Sequence, residues 1–249
     1  AAVINAAALT GVDQAESRVL EAWTVNAVAP AVLAAETAKA AIPLVHVSTD
    51  YVFPGTKSRA YVENDKVGPL GVYGASKEGG EQAVRCGNER HAIIRTAWVM
   101  SPHRANFLLT ILRRAREGEP LEVVADQRGS PTSARPLAEA LASIALRLAE
   151  DASAPTGTFH LVNAGTASRY ELAREILRLA RDGRSEAPPV VPVATADLPP
   201  APARRPSNSA LGCGKIAKAY GIRLPHWREA VAEIVAELKA RPGLEREAT

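Results

Sequence analysis

The chain has 249 residues, 47% of them apolar and 23% charged, a composition that excludes disordered, collagen-like and disulfide-miniature classes. At about 150 residues per domain it holds one large domain or two interleaved ones. Thirty basic against 27 acidic side chains leave a net charge of +3, and with no basic stripe interleaved with aromatics, nucleic acid is not an expected partner. Cys86 and Cys213 stand far apart without CxxC spacing, which predicts a reducing compartment and no zinc site. No apolar run approaches about 18 residues and no signal layout opens the chain, so the expected location is the cytoplasm, away from membranes.

In chain order, Ala2 to Ala8 reads as a buried strand running into a loop of small residues, followed by a helix over Ser17 to Ala40 that Pro30 kinks. Ile42 to Ser48 is a short β-branched run of the parallel-core kind. Tyr73 opens a helical segment (YGASKEGGEQAV), then His91–Thr96 is strand, Asn106 to Glu117 helix, Leu121 to Ala125 strand, Arg135 to Glu150 helix and Thr158 to Val162 strand. Such alternation predicts βαβ units and a doubly wound parallel sheet of Rossmann-like α/β class. Ser168 and Glu171 form a capping box ahead of a helix with Leu172, Ile176 and Leu179 on one face. Seven prolines between 188 and 206 predict a loop or flap rather than a regular element. Trp227, Val231, Ile234, Val235 and Leu238 then recur at helical spacing as a core stripe.

Tyr73 and Lys77 carry the sharpest chemical signal. Four residues apart on a helix, phenol and ammonium point into the same space, and the positive charge is expected to pull the phenol pKa down from about 10. Either the pair exchanges protons at a site or it is a solvated helix face. Thr49 and Asp50 leave a buried strand at its C-terminal end, where ligands of open α/β sheets sit. There Thr49 either hydrogen-bonds a substrate carbonyl that Tyr73 protonates, or caps a turn. The five histidines show no metal-ligand spacing, so no metal site is expected and His46 reads as a core residue. Gly79 and Gly80 inside a helix predict close backbone approach to a neighbour. Arg204 and Arg205 either meet a diphosphate or end a solvated loop.

Several segments in register, VINAAALTGVDQAE, STDYVFPGT, GPLGVYGASKEGGE, RTAWV, DQRGSPT and RPSNSAL, resemble the dTDP-4-dehydrorhamnose reductase family of extended short-chain dehydrogenases/reductases. The resemblance covers nearly the whole chain and implies NADPH- or NADH-dependent reduction of the C4 ketone of dTDP-6-deoxy-L-lyxo-4-hexulose to dTDP-L-rhamnose. It assigns proton donation to Tyr73, nicotinamide-ribose holding to Lys77 and assistance to Thr49. It lines the cofactor with Ala7, Ala8, Leu9, Thr10 and Val47, and the sugar with Asp50, Tyr51 and Trp98; Asn106, Phe107 and Gln127 either touch nucleotide or sugar or serve the fold. The implied domains are a cofactor-binding Rossmann-like part over 1–165 and a smaller, mainly substrate-binding part over 166–249. A monomer or homodimer is implied. Some members pair through the C-terminal region with a divalent ion such as Mg, where Glu237 is the residue available.

No GxxGxxG or GxGxxG occurs, so by the family pattern roughly 50 to 60 residues bearing the first βαβ unit and its glycine turn are expected to precede this sequence. Two alternatives belong beside the reductase reading. A nucleotide-sugar epimerase or dehydratase shares the scaffold, but a dehydratase needs an acid and base pair after the threonine, and Asp50 is followed by Tyr51. A non-catalytic regulatory subunit of the methionine adenosyltransferase beta type also keeps much of STDYVF and YxxxK.

Overall fold

The computed structural model describes residues 1–118, 120–181 and 188–241. Strand β1 (Val3–Asn5) is followed by α1 (Val12–Ser17), α2 (Val19–Trp23), a π-helical turn over Thr24–Val28, and α3 (Ala29–Lys39). Next come β2 (Leu44–Thr49), a 3-10 turn over Asp50–Val52, α4 (Val72–Gly87), β3 (His91–Thr96), β4 (Val99–Met100) and α5 (Phe107–Arg116). After β5 (Leu121–Val124), β6 (Arg128–Gly129) and β7 (Thr132–Ser133), α6 (Ala134–Glu150) leads to β8 (Gly157–His160), β9 (Asn163–Ala164) and β10 (Ala167–Ser168). The order closes with α7 (Arg169–Ala180), β11 (Val190–Val193), α8 (Gly214–Tyr220), β12 (Leu224–His226) and α9 (Trp227–Ala240). Among the described residues no helix is long and apolar enough to cross a membrane.

Two compact units share these elements. The first comprises residues 1–96, 137–161 and 201–223, the second residues 97–136, 162–200 and 224–249. The single division expected at residue 165 is replaced by repeated passage of the chain from one unit to the other. Periodicity orders elements along the chain and does not say which of them share a core.

The first unit is built on a parallel sheet of order β1-β2-β3-β8. Ala34 of α3 and Val84 of α4 pack with Leu44 and Ile93 of the two inner strands, all without solvent exposure. Fully burying a large aliphatic side chain is worth about 1.5–3 kcal/mol, so these contacts seat both helices on the sheet. β1 is shorter than expected, and its Ile4 is 42% exposed because, among the described residues, only β2 pairs with it. The helix expected over 17–40 starts earlier and is interrupted. Pro30 has no N–H for the Asn26 carbonyl four residues back and its ring crowds that carbonyl, and the chain answers with the π turn over Thr24–Val28. Arg90 closes the end of α6 by donating to the carbonyls of Leu148, Asp151 and Ala152.

In the second unit α5, α7 and α9 enclose a core that includes Leu108, Leu112, Leu172, Ile176, Trp227, Val231, Ile234, Val235 and Leu238. α7 and α9 contribute the stripes legible in the sequence, with Leu179 at the margin. The Ser168–Glu171 capping box is formed in both directions, at 3.0 and 2.6 Å. The proline-rich stretch departs from a plain loop: Val190–Val193 is a strand paired in parallel with β5. Pro192 is tolerated because, among the described residues, β11 has a ladder on one side only, so its missing N–H leaves no bond unmade there.

Candidate active site

Parallel pairing of Asn5 with His46 puts the carboxyl ends of β1 and β2 at one edge of the first unit's sheet. The loop 6–11 leaves from one end and the 3-10 turn from the other. Ala6, Ala7 and Thr10 are exposed, Ala8 and Leu9 half-buried. The loop's shape is set from below: Asn5 accepts from the Ala7 N–H at 3.2 Å, and the amide of Asn26 takes the Leu9 N–H at 2.9 Å while donating to the Leu9 carbonyl at 3.1 Å. Asn26 has no solvent exposure and also donates to Ser76 at 3.0 Å, which joins the loop to α4 between Tyr73 and Lys77.

Thr49 ends β2 and accepts the Tyr51 N–H at 3.2 Å, capping the 3-10 turn. Its hydroxyl also donates to Asp50 at 3.1 Å and shares a hydrogen bond with the phenol of Tyr73. The capping role and the contact with Tyr73 thus coexist on one side chain. Tyr51 meets Tyr73 edge-to-face at 5.9 Å. Glu16 accepts the Val72 N–H at 2.8 Å and puts a carboxylate at the positive end of α4, which fixes the turn carrying Tyr73.

The helix brings Lys77 onto the Tyr73 face, but not to lower the phenol's pKa. Lys77, 2% exposed, donates to the Val47 carbonyl at 2.7 Å, and burial pulls its pKa down to about 8. Burial pushes the Tyr73 phenol up to about 12, against the Thr49 hydrogen bond and with the Asp50 carboxylate acting in the same direction as burial. The expected downward shift is therefore reversed: desolvation prevails, and the Lys77 ammonium is bonded to the strand. A phenol so held stays protonated at neutral pH and can act as an acid.

His46 sits fully buried with Nδ1 3.1 Å from the Asn5 amide, the core role expected of it, and its pKa falls to about 3. Gly80 is also explained, since a Cβ there would stand 2.1 Å from the Asn26 carbonyl oxygen, and one at Gly79 2.7 Å from the Trp23 ring. Arg205 follows neither expectation for it. Its guanidinium grips both carboxylate oxygens of Asp13 at 2.7 and 2.6 Å and bonds the Tyr51 side chain, a local ion pair within the first unit.

Trp98 and Asn106 belong to the second unit. The Trp98 backbone has φ +46°, a left-handed conformation unusual for an aromatic residue, and the Arg169 guanidinium lies 3.7 Å over its ring. Gly129 makes room for that ring: a Cβ there would come within 2.3 Å of it. Asn106 caps α5 by accepting from Leu109 at 3.3 Å and spends its N–H groups on Ser101 and Arg104. Gln127 donates to Thr195 at 3.1 Å. Both amides are thus engaged in holding the fold. Glu237 is paired with Arg135 and Arg241, and among the described residues no three His, Cys, Asp or Glu side chains cluster to hold a metal. Sequence reasoning gave no role to Asn26, Glu16 or Glu81, although Glu16 and Glu81 close two of the segments that carry the family resemblance.

The RmlD substrate binding domain family model matches residues 1–240. A dTDP-4-dehydrorhamnose reductase from Sinorhizobium fredii is 42% identical over 234 residues, 94% of this chain and 79% of that protein. The crystal structure of a dTDP-4-dehydrorhamnose reductase from Clostridium acetobutylicum superposes with a TM-score of 0.88 at 34% identity, covering 96% of this chain and 81% of that one. The enzyme of the same name from Bacillus anthracis, solved in complex with NADP, gives 0.86 at 33% identity, covering 94% and 79%. With one family model spanning nearly every residue and relatives of one name at this identity, the chain belongs to the dTDP-4-dehydrorhamnose reductase family, whose Rossmann-like α/β fold it shares.

Proposed function

We propose that this protein reduces the C4 ketone of dTDP-6-deoxy-L-lyxo-4-hexulose to dTDP-L-rhamnose with NADPH or NADH, Tyr73 giving the proton and Lys77 and Thr49 assisting. The observation that carries this reading is the hydrogen bond between Thr49 and a Tyr73 phenol that burial keeps protonated, at the carboxyl edge of a parallel sheet. The NADP complex of the Bacillus anthracis relative supports the cofactor class.

The residues present suit the nicotinamide-ribose end of such a cofactor. Small side chains at Ala7 and Ala8 leave loop backbone open beside the Val47 end of β2, and Lys77 offers a buried ammonium able to exchange its strand carbonyl for ribose hydroxyls. When bound, the cofactor supplies hydride to C4. The ketone oxygen gains its proton from Tyr73 Oη, so hydride on carbon and proton on oxygen turn the carbonyl into a secondary alcohol. Thr49 steadies the phenol before transfer and can bond the forming alkoxide, and Lys77 assists by holding the ribose beside it. Holding these groups in place before substrate arrives saves the entropy of assembling them. In the first unit the proposed sugar contacts are Asp50 and Tyr51; in the second, Trp98 is proposed for its flat, rigid surface, suited to a deoxysugar.

The test is cofactor oxidation on addition of the dTDP-linked 4-keto sugar, with product identified by NMR. Turnover to dTDP-L-rhamnose is the expected result. Absence of turnover with both cofactors, or release of a dehydrated or epimerised product, overturns the reading.

A further inference from the structure

The chemistry above leaves one fully buried anion without a part. Tyr73, Lys77 and Glu81 follow one another at four-residue steps on α4, so the carboxylate lies one turn beyond the ammonium on the same face. Glu81 has no solvent exposure, and its partners come from three elements. Oε1 accepts from the Ser48 hydroxyl at 2.6 Å and from Arg95 Nε at 2.8 Å; Oε2 accepts from Arg95 Nη2 at 2.7 Å and from Arg85 on its own helix. Arg95 is 2% exposed and lies 5.0 Å over the Phe53 ring, with His160 Nε2 at 3.5 Å.

A buried carboxylate between two arginines is already satisfied as an ion pair, so the bond to Ser48 calls for a separate account. Ser48 stands between Val47, whose carbonyl holds Lys77, and Thr49, whose hydroxyl bonds Tyr73. One carboxylate therefore pins the strand midway between the two anchors of the reacting pair. We propose that Glu81 is a positioning residue for Tyr73 and Lys77, acting through Ser48 on the end of β2 and through its own charge on the Lys77 ammonium. The proposal rests on the roles given to Tyr73 and Lys77 above.

Charge supports the same assignment. Burial works against the ammonium of Lys77, and Glu81 opposes that effect. Facing Lys77 from β2 is His46, held neutral by burial; Tyr73 on α4 is likewise neutral. Glu81 is faced by Arg85 from α4 and Arg95 from β3, and Arg95 in turn by His160 from β8.

Glu81→Gln alone would strand the Arg95 charge, so the informative variants are Glu81→Gln with Arg95→Gln, which removes both buried charges together, and Ser48→Ala, which keeps the ion pair. Lysine labelled with 13C at Cε reports the Lys77 titration by NMR without substrate or cofactor, and steady-state kinetics reports kcat and KM. In the double variant the Lys77 midpoint should fall by about one pH unit and kcat by about tenfold at a melting temperature near that of the parent. In Ser48→Ala, kcat should fall about fivefold while the melting temperature and KM change little. A folded double variant with unmoved Lys77 titration and kcat would make Glu81 structural only. If the double variant does not fold, Ser48→Ala decides, and unchanged kcat there overturns the proposal. Tyr73→Phe made alongside separates the two readings: retained activity in it removes Tyr73 as the acid, while the Lys77 titration still judges Glu81.

Discussion

The Nζ of Lys77 is held by the carbonyl of Val47 at 2.7 Å, two residues before the Thr49 whose hydroxyl bonds the phenol of Tyr73. Strand and helix thus hold each other through the two groups on which the proposed proton transfer depends. Their removal should have separable effects. Tyr73→Phe should lower kcat about 10²–10⁴-fold with cofactor affinity nearly unchanged, because only the transferable proton is lost. Lys77→Ala should weaken cofactor binding as well as slow turnover. Steady-state rates together with calorimetric titration of NADPH check both, and a loss under about threefold in Tyr73→Phe would remove the residue from the acid role.

Two adjacent glycines should answer differently to the same substitution. At Gly80 an added methyl meets the Asn26 carbonyl oxygen at 2.1 Å, a backbone atom that cannot step aside, and Gly80→Ala should destabilise by about 1–3 kcal/mol despite alanine's better helix propensity. At Gly79 the obstacle is the ring of Trp23, 40% exposed and free to turn outward, so Gly79→Ala should stay within about 1 kcal/mol of the parent. Urea midpoints of the two variants, measured side by side, settle the contrast; equal losses would contradict it.

Trp98 is held in a left-handed backbone by its surroundings, and Gly129 provides the space for its ring. Gly129→Ala should displace the indole, shift its fluorescence and raise KM for the sugar nucleotide about tenfold, with a smaller change in kcat. That fold-change corresponds to about 1.4 kcal/mol, within the range for burial and stacking of an aromatic ring. A shifted emission with unchanged KM would confine Trp98 to packing.

Acid should unfold the protein through two buried imidazoles. His46 and His160 titrate near pH 3 in the folded chain, in each case mainly because burial disfavours the charged ring, whereas unfolded histidine titrates near 6.5. Between those values the unfolded state binds the extra protons, so stability is complete above about pH 6.5 and falls as pH drops toward 3. Each histidine adds about 1.4 kcal/mol per pH unit to that slope. Unfolding free energies between pH 4 and 6 should show at least the summed slope in the parent, since burial also lowers the pKa of His91, and His46→Asn should reduce that slope by about 1.4 kcal/mol per pH unit.

Regular elements were legible because burial repeats along the chain. The strand over His91–Thr96 and the helix stripe from Trp227 to Leu238 follow directly from where apolar side chains recur. Thr49, Tyr73 and Lys77 were legible as a group because the helix period and the strand end put them together. The Tyr73 pKa was not, since its direction depends on how much water the fold removes and where the Lys77 ammonium finds its partner. Asn26, Glu16 and Glu81 escaped notice for a related reason. Each acts on residues distant in sequence, Glu16 on Val72 and Asn26 on both Leu9 and Ser76, and nothing local marks an asparagine or glutamate for such a contact. Pro192 misled in the opposite direction, because a proline forbids a ladder bond only on the side where a partner strand lies.

The grip of Asn26 on Leu9 has a consequence for hydrogen exchange. Leu9 lies in a surface loop between exposed Ala6 and Ala7 on one side and exposed Thr10 on the other, and such amides ordinarily exchange with solvent within moments. Its N–H, however, is bonded to a side chain with no solvent exposure that is itself tied to Ser76. Deuterium can reach it only when Asn26 lets go, an opening that also disturbs the turn of α4 between Tyr73 and Lys77. The Leu9 amide should therefore exchange on the timescale of the helix rather than of its own loop, and its protection measures how often the proposed catalytic pair comes undone.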